Sequence, residues 1–529
     1  MQIKNWIDRY SHILLFCFIS AVISFSTNIT SSIVDNFHEG EYLGFVWHMR
    51  SYYNNLAEFP LLIHGAVDYI PSVIASFVYG DEHIIVGTRQ IGAVILWLEW
   101  VLFLELCYLL IPESNQKKCW MAGVLVVFFI LSPKLSSDYM TMHGAIVGLK
   151  DFFLILTIWS FAKYLTASSK SAIYLFLWLT SFGAAASIFW CYDRGVMATA
   201  FFGVAVLGCI FTKRLADALF LTLSAILSLI LIGYSNVVGS TMSNIGNIKY
   251  WIMYGSELWS YPFETHFLPY LGGGIMVLFS MAAIVMTILQ KHVRAGKVWI
   301  LLVGLVVVQL LLLKTTMNRP GGTRTLAAIW PPMLLMLYFA PILFPIPNLN
   351  LRKYFSSKIS IPHVIFYFAS ALFFLASINI QTLNLYYILT LHHNYLKYGS
   401  FLKNIVYTRK DTELVSNGVN QLASELKRLG NNCYLGWSSE GVIALMSKER
   451  FCTKFTYSAY VSSNEEGKLL AGIKRDPPKV VVFDSIGGQM QIDDIWVKDR
   501  LPAIYHYIDS TYSTKTKVAG GLFILATRE

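Results

Sequence analysis

Charge is scarce in this 529-residue chain: Asp, Glu, Lys and Arg make up only 14% of it, against about 25% in soluble domains. With 55% hydrophobic residues, 15% aromatics and a mean hydropathy of +0.54, that shortage excludes an ordinary soluble globule and points to a polytopic membrane protein. The seven cysteines show no metal-ligand spacing, so a structural zinc site has no support. There is no internal repeat and no low-complexity tract, and residues 391–529 contain neither a P-loop nor a strand-bound GxGxxG to cradle a nucleotide phosphate. The first apolar run follows Lys4, Asp8 and Arg9 in the manner of a signal sequence, but no convincing small-x-small cleavage site comes after it. It reads as an uncleaved first span. The net charge of +10 does not call for nucleic acid, because basic residues gather wherever loops face the cytoplasm.

Apolar runs of roughly the 20 residues needed to span a bilayer occur at about 10–30, 91–112, 118–135, 150–167, 171–191, 196–212, 216–236, 267–290, 298–316, 326–346 and 360–386. The expected fold class is therefore a polytopic α-helical membrane protein with about eleven spans. Placing the N-terminus inside puts Lys4 and Arg9, Lys117 and Lys118, Lys163 and Lys170, Lys213 and Arg214, Lys291, Arg294 and Lys297, and Arg352, Lys353 and Lys358 on the cytoplasmic side. Every short inside loop is then basic. An odd number of spans leaves residues 391–529 outside, as an extracytoplasmic α/β domain beyond a membrane module covering 1–390.

Two outside loops are long. The first, 32–90, is acidic, and its Tyr42, Phe45, Trp47, Tyr52, Tyr53 and Phe59 suit helices lying in the membrane interface. The other, 237–266, carries Lys249, Trp251, Glu257, Trp259, Glu264 and His266. In the tail, Val415, Val419, Leu422, Leu426 and Leu429 predict a helix over 411–429. A short strand is expected at 433–437, a helix capped by Ser438 or Ser439 up to 447, a buried strand at 479–483 and a last strand at 521–526. Cys17, Cys107, Cys119, Cys191 and Cys209 lie in or beside apolar runs as small hydrophobes. Cys433 and Cys452 fall in the polar tail and could form one disulfide if that region is extracytoplasmic.

Candidate chemistry sits in the outside turns. Asp35, His38, Glu39 and Glu41 crowd into seven residues beside the first span, and a base that activates a hydroxyl must be such a carboxylate or imidazole; the bland alternative is a solvated, acid-capped helix start. Lys134, Asp138, His143, Lys150 and Asp151 occupy the second outside turn. Asp151 heads a span, where dipole compensation would suffice, but Lys150 departs from the positive-inside pattern. Cys191-Tyr192-Asp193-Arg194-Gly195 joins two spans with almost no loop, so Arg194 either pairs with Asp193 or faces a phosphate. Asn318-Arg319-Pro320-Gly321-Gly322-Thr323-Arg324 is the clearest phosphate-binding candidate, with two arginines flanking a glycine turn. Lys249, Glu264 and His266 are weaker candidates; His64, His83 and His292 read as ordinary.

With these residues in view the chain resembles the C-type (GT-C) glycosyltransferases, the group of the aminoarabinose transferases and protein O-mannosyltransferases. His38-Glu39-Gly40-Glu41-Tyr42 resembles the family's Asp-Glu pair in the first extracytoplasmic loop, with His38 where the Asp would be, and Asp151-Phe152-Phe153 matches the second acid at the head of the fourth span. The Trp-Trp-Asp signature of oligosaccharyltransferases is absent. The resemblance implies transfer of one sugar, with inversion, from a polyprenyl-phosphate donor to an acceptor hydroxyl of a lipid, glycan or protein at the outer face of a membrane, on family grounds a bacterial inner membrane. Asp35 or Glu39 would be the base, with Glu41 and Asp151 as further acids, and Lys150, Arg194, Arg319 and Arg324 would neutralise the phosphate. No cofactor is required, no nucleic-acid partner is expected, and a divalent metal bridging acids and phosphate is left open. The alternatives are a flippase for lipid-linked glycans, disfavoured by charges gathered at one face without a repeat, and a glycan polymerase or ligase.

Overall fold

The computed structural model describes residues 2–25, 33–36, 38–112, 117–131, 148–235, 237–258, 267–289, 298–318, 328–343, 364, 365, 370, 406, 408–437, 441–484, 491, 492 and 495–528. They fall into two compact units: Met1–Thr27, Val94–Ser235 and Tyr261–Phe401 in one, Asn28–Ala93, Asn236–Ser260 and Leu402–Glu529 in the other.

The first unit is helical. Phe152–Thr166, Lys170–Trp190, Tyr192–Phe211 and Leu215–Tyr234 follow one another through very short turns, which force neighbouring helices to run back on each other. Lys170–Trp190 packs against the other three. Only Cys191 separates two of them, in extended conformation (φ −150°, ψ 114°). A Cβ on Gly195 would stand 2.5 Å from the Cα of Ile188, so this junction closes because residue 195 has none. Large apolar side chains such as Trp100, Phe103, Phe161, Phe201 and Trp330 fill the interior. Leu219, Leu223, Ile226, Leu227, Ile230 and Leu231 of Leu215–Tyr234 point outward, as helices do in lipid.

Six helices among the described residues are long and apolar enough to cross a membrane: Ile84–Leu110, Lys170–Trp190, Tyr192–Phe211, Leu215–Tyr234, Tyr270–Leu289 and Val298–Met317. Gln2–Phe25, Lys117–Leu131, Phe152–Thr166 and Trp330–Leu343 lie on four more of the expected runs. The eleventh, 360–386, falls almost wholly outside the described residues.

The second unit gathers the first long loop, much of the other and the tail. Val480–Asp484, Phe523–Thr527 and Thr514–Val518 form an antiparallel sheet with Phe523–Thr527 in the middle. Val481, Val482 and Ala526 are buried in it. The helix expected over 411–429 is broken: Asp411–Leu414 ends at Val415 (φ −103°, ψ 147°), and Asn417–Leu429 starts afresh with the Ser416 hydroxyl capping the amide of Val419. Gly430, at φ +63°, closes it. Residues 433–437 make isolated bridges, Tyr434 with Phe451 and Gly436 with Val482, in place of a ladder. The expected caps Ser438 and Ser439 lie outside the described residues. Cys433 and Cys452 are joined by a disulfide. In the first loop the aromatics expected at a membrane interface partly turn inward: Tyr42 and Phe45 are fully buried, Phe45 with its ring 5.9 Å from that of Phe451 and 5.7 Å from that of Tyr457. Burial against the tail wins because it removes the whole ring from water.

Candidate functional site

Two clusters of ionisable side chains stand out, one in each unit. In the second unit the acidic motif is a capped turn. Asp35 Oδ1 accepts from the amide of His38 at 2.9 Å, and the Asp35 carbonyl accepts from the amides of Glu39 (3.1 Å) and Gly40 (3.3 Å), so the aspartate starts the short Gly40–Leu43 helix. Asp35 Oδ2 also meets His38 Nδ1 at 3.0 Å. The pair is open to solvent, with side-chain exposures of 36% for Asp35 and 42% for His38.

Glu39 is in the opposite state. It is 2% exposed and gripped by the guanidinium fork of Arg89, with Nη2–Oε2 at 2.7 Å and Nε–Oε1 at 3.2 Å. Glu41 is equally buried and accepts a hydrogen bond from the Tyr460 hydroxyl. The Tyr457 hydroxyl donates to the carbonyl of Gly40 at 2.7 Å. Burial, and then the charges of Glu41 and Asp68, push the Tyr457 phenol well above its ordinary pKa, so it stays a donor. A Cβ on Gly441 would stand 2.2 Å from the Gly40 carbonyl oxygen; the tail backbone therefore rests directly on the motif. Two glycines, two tyrosines and Arg89 hold it in place.

His64, read as ordinary from the sequence, has its Nδ1 2.8 Å from Asp68 Oδ1, and its amide donates to Asp68 Oδ2 at 2.7 Å. Its ring lies parallel to Tyr42 at 6.1 Å. The signal available was the i, i+4 spacing of His64 and Asp68.

In the first unit Asp151 heads Phe152–Thr166, where its Oδ2 accepts from the amide of Gly148 at 3.2 Å. Arg194, in the first turn of Tyr192–Phe211, donates from Nε to Asp151 (2.5 Å) and from Nη1 to Asp193 (2.6 Å). Asp193 also accepts from the Cys191 thiol at 2.9 Å, and Trp190 Nε1 donates to the carbonyl of Leu149 at 2.6 Å. The sequence motifs around 151 and 193 thus form one ion network, with the buried Arg194 shared between the buried Asp151 and the partly exposed Asp193. Lys150 lies beside Asp151 in the same turn.

Glu99 lies inside the apolar run 91–112, yet it is fully buried in Ile84–Leu110 and feels the charges of Asp151 and Arg194. Neither of its carboxylate oxygens has a hydrogen-bond partner among the described residues. A charge in the middle of a 27-residue apolar helix was the signal that could have found it.

Lys249 is exposed on Thr241–Leu258 and makes no ion pair among the described residues. Arg319, Arg324, His266, Glu264, Lys134, Asp138 and His143 lie outside the described residues. Among the described residues no three His, Cys, Asp or Glu side chains converge to hold a metal ion.

No protein-family model matches the chain, and no curated protein matches it either. Solved structures do. ArnT from Cupriavidus metallidurans bound to undecaprenyl phosphate shares 11% identity over 98% of this chain and 98% of its own, with a TM-score of 0.44. The same enzyme in its apo state gives 11% identity over 99% and 98%, with a TM-score of 0.49. The archaeal oligosaccharyltransferase AglB from Archaeoglobus fulgidus, in complex with an inhibitory peptide and a dolichol-phosphate, gives 11% over 99% and 75%, with a TM-score of 0.48.

Proposed function

We propose that this chain is an integral membrane glycosyltransferase that moves one sugar from a polyprenyl-phosphate-linked donor to an acceptor hydroxyl at the outer face of the membrane. The observation that carries the reading is the contrast between neighbouring acids: Asp35 and His38 form an exposed carboxylate–imidazole pair, whereas Glu39 is buried under Arg89. A base for an incoming hydroxyl must be within its reach. Glu39 suits that task badly, because a bidentate arginine occupies both oxygens and favours the charged form. The Asp expected at residue 38 is His, and Asp35 supplies the missing carboxylate through a 3.0 Å contact with that ring. Charged, Asp35 accepts from the protonated Nδ1 and fixes the tautomer.

The acceptor hydroxyl gives its proton to this pair. Its oxygen bonds to the anomeric carbon as the bond from that carbon to the phosphate oxygen breaks, and polyprenyl phosphate leaves with the electron pair. Displacement on the opposite face inverts the centre. Lys150, Arg319 and Arg324 neutralise the leaving phosphate, since stabilising developing charge is usually the largest single contribution to catalysis. Arg194, engaged by Asp151 and Asp193, holds both carboxylates in place. The acceptor is a lipid, glycan or protein of a cell envelope, and the catalytic loops and residues 391–529 face the periplasm of a bacterial inner membrane. No nucleotide site is needed, because the donor arrives on lipid.

Purified full-length protein supplied with labelled polyprenyl-phosphate sugar tests the reading. A new glycosidic bond carrying a single labelled sugar, of inverted configuration, is expected. Label that crosses the membrane without a new bond, or arrives only as an oligosaccharide, would refute it.

A further inference from the structure

The motif-holding tyrosines belong to a segment whose other end lines a cavity of about 340 Å³, at the lower end of the range for small-ligand pockets, roughly 300–1,000 Å³. Lys454 and Phe455 form one wall. The other is a single face of the Glu466–Arg475 helix: Lys468, then Ala471 and Gly472, then Arg475, spaced at i, i+3, i+4 and i+7. Ala471 and Gly472 carry no long side chain, although Thr453 of the facing wall packs over Gly472, where a Cβ would stand 2.9 Å from its Cγ2, and a cation stands at each end, about 10 Å apart at 1.5 Å per residue. Glu58 closes the rim.

The charges are not balanced. Arg475 donates to Glu58 at 2.9 Å, and Lys468 pairs with Glu465 at 2.8 Å. Lys454 Nζ lies 5.3 Å from the Phe455 ring centre and has no carboxylate partner among the described residues. Three cations therefore face two carboxylates. The backbone of Lys454 is fixed, since its carbonyl accepts from the amide of Leu61 at 2.7 Å, and Cys452, two residues earlier, is in the disulfide. The chain then runs on to Tyr457 and Tyr460, which hold Gly40 and Glu41.

We propose that this pocket binds an anionic glycan, with carboxylate or phosphate substituents on Lys454, Lys468 and Arg475, as part of the acceptor. The acceptor role rests on the transferase reading; the binding itself does not. The spacing of the cations suits a ligand with charges along a chain, and the cavity of about 340 Å³ between them has room for a sugar ring.

Direct binding to the full-length protein in micelles provides the test, with trigalacturonate as the carboxylate probe, glucose 6-phosphate as the phosphate probe and maltotriose as the neutral one. Saturable binding of an anionic probe is expected, about tenfold or more weaker in the Lys454→Ala/Lys468→Ala double variant, retained in Lys454→Arg/Lys468→Arg, and reduced as salt is raised. Which anionic probe binds identifies the charged group. Equal affinity for maltotriose, no saturable binding of either anion, or a double variant that binds like the parent would overturn the proposal. If binding holds while no sugar transfer is found, the pocket stands and the acceptor role falls; if transfer proceeds with no anion bound, only the pocket falls.

Discussion

Removing Arg89 tests whether Glu39 is a structural acid or the base. In Arg89→Met the Glu39 carboxylate, 2% exposed, loses contacts of 2.7 and 3.2 Å. Each is a charge-assisted hydrogen bond of about 1.5–3 kcal/mol, and a buried charge stripped of its partner costs about 3–5 kcal/mol. The Glu39→Gln/Arg89→Met double variant removes both charges and should recover much of that loss, because a buried pair replaced by neutral groups is often close to neutral. The cycle, measured by thermal unfolding of purified protein in micelles, should give a coupling of about 2 kcal/mol or more. Sugar transfer per folded molecule should survive in the double variant. An Arg89→Met protein that melts like the parent would refute the clamp, and a fully folded double variant with no transfer would return the base role to Glu39.

Gly441→Ala places a methyl group 2.2 Å from the Gly40 carbonyl oxygen, so overpacking of about 1–3 kcal/mol should appear as a lowered melting temperature, and kcat should fall more than KM as the motif shifts. Burial, opposed by Asn431, raises Glu449 to about 7, so the folded state binds that proton more tightly than the unfolded chain. Stability linked to it is full below about 4.5 and is lost as pH rises through about 7, on the order of 2–3 kcal/mol; Glu449→Gln should flatten that limb of a melting-temperature profile. Burial lowers His48 to about 4, with the opposite sign: its contribution is present above about 6.5 and is lost as pH falls toward 4, a limb that Glu449→Gln should leave untouched. The disulfide closes a 19-residue separation, so Cys433→Ser/Cys452→Ser should lose about 3 kcal/mol, read as a lower melting temperature.

How legible the molecule was depends on the range of the interaction concerned. Helices of the membrane module announce themselves through local hydrophobicity, and ten of the expected runs carry helix among the described residues. The strand at Val480–Asp484 was visible as an apolar run after two prolines, whereas Thr514–Val518, with its polar, exposed face, had no such pattern. The acidic motif was visible by composition, but the contrast between the exposed Asp35 and the buried Glu39 was not. Glu39 and Arg89 are 50 residues apart, and Asp35 differs from Glu39 only in what the fold brings to each. A far greater separation in sequence hid the Gly441–Gly40 contact, which joins residues of the first loop and the tail through backbone alone. Glu99 was hidden for the opposite reason: a single acid does little to the average of a long apolar run.

The assignment of the base is tested most directly by the pH dependence of kcat for sugar transfer in Asp35→Asn, His38→Ala and Glu39→Gln, each with membrane insertion and folding checked. Losing an acid–base group costs about 10²–10⁴ in rate. Asp35→Asn and His38→Ala should each fall in that range and lose the acidic limb of the profile, while Glu39→Gln, corrected for folded protein, keeps the limb. Parent-like kcat and profile in both Asp35→Asn and His38→Ala would contradict the account.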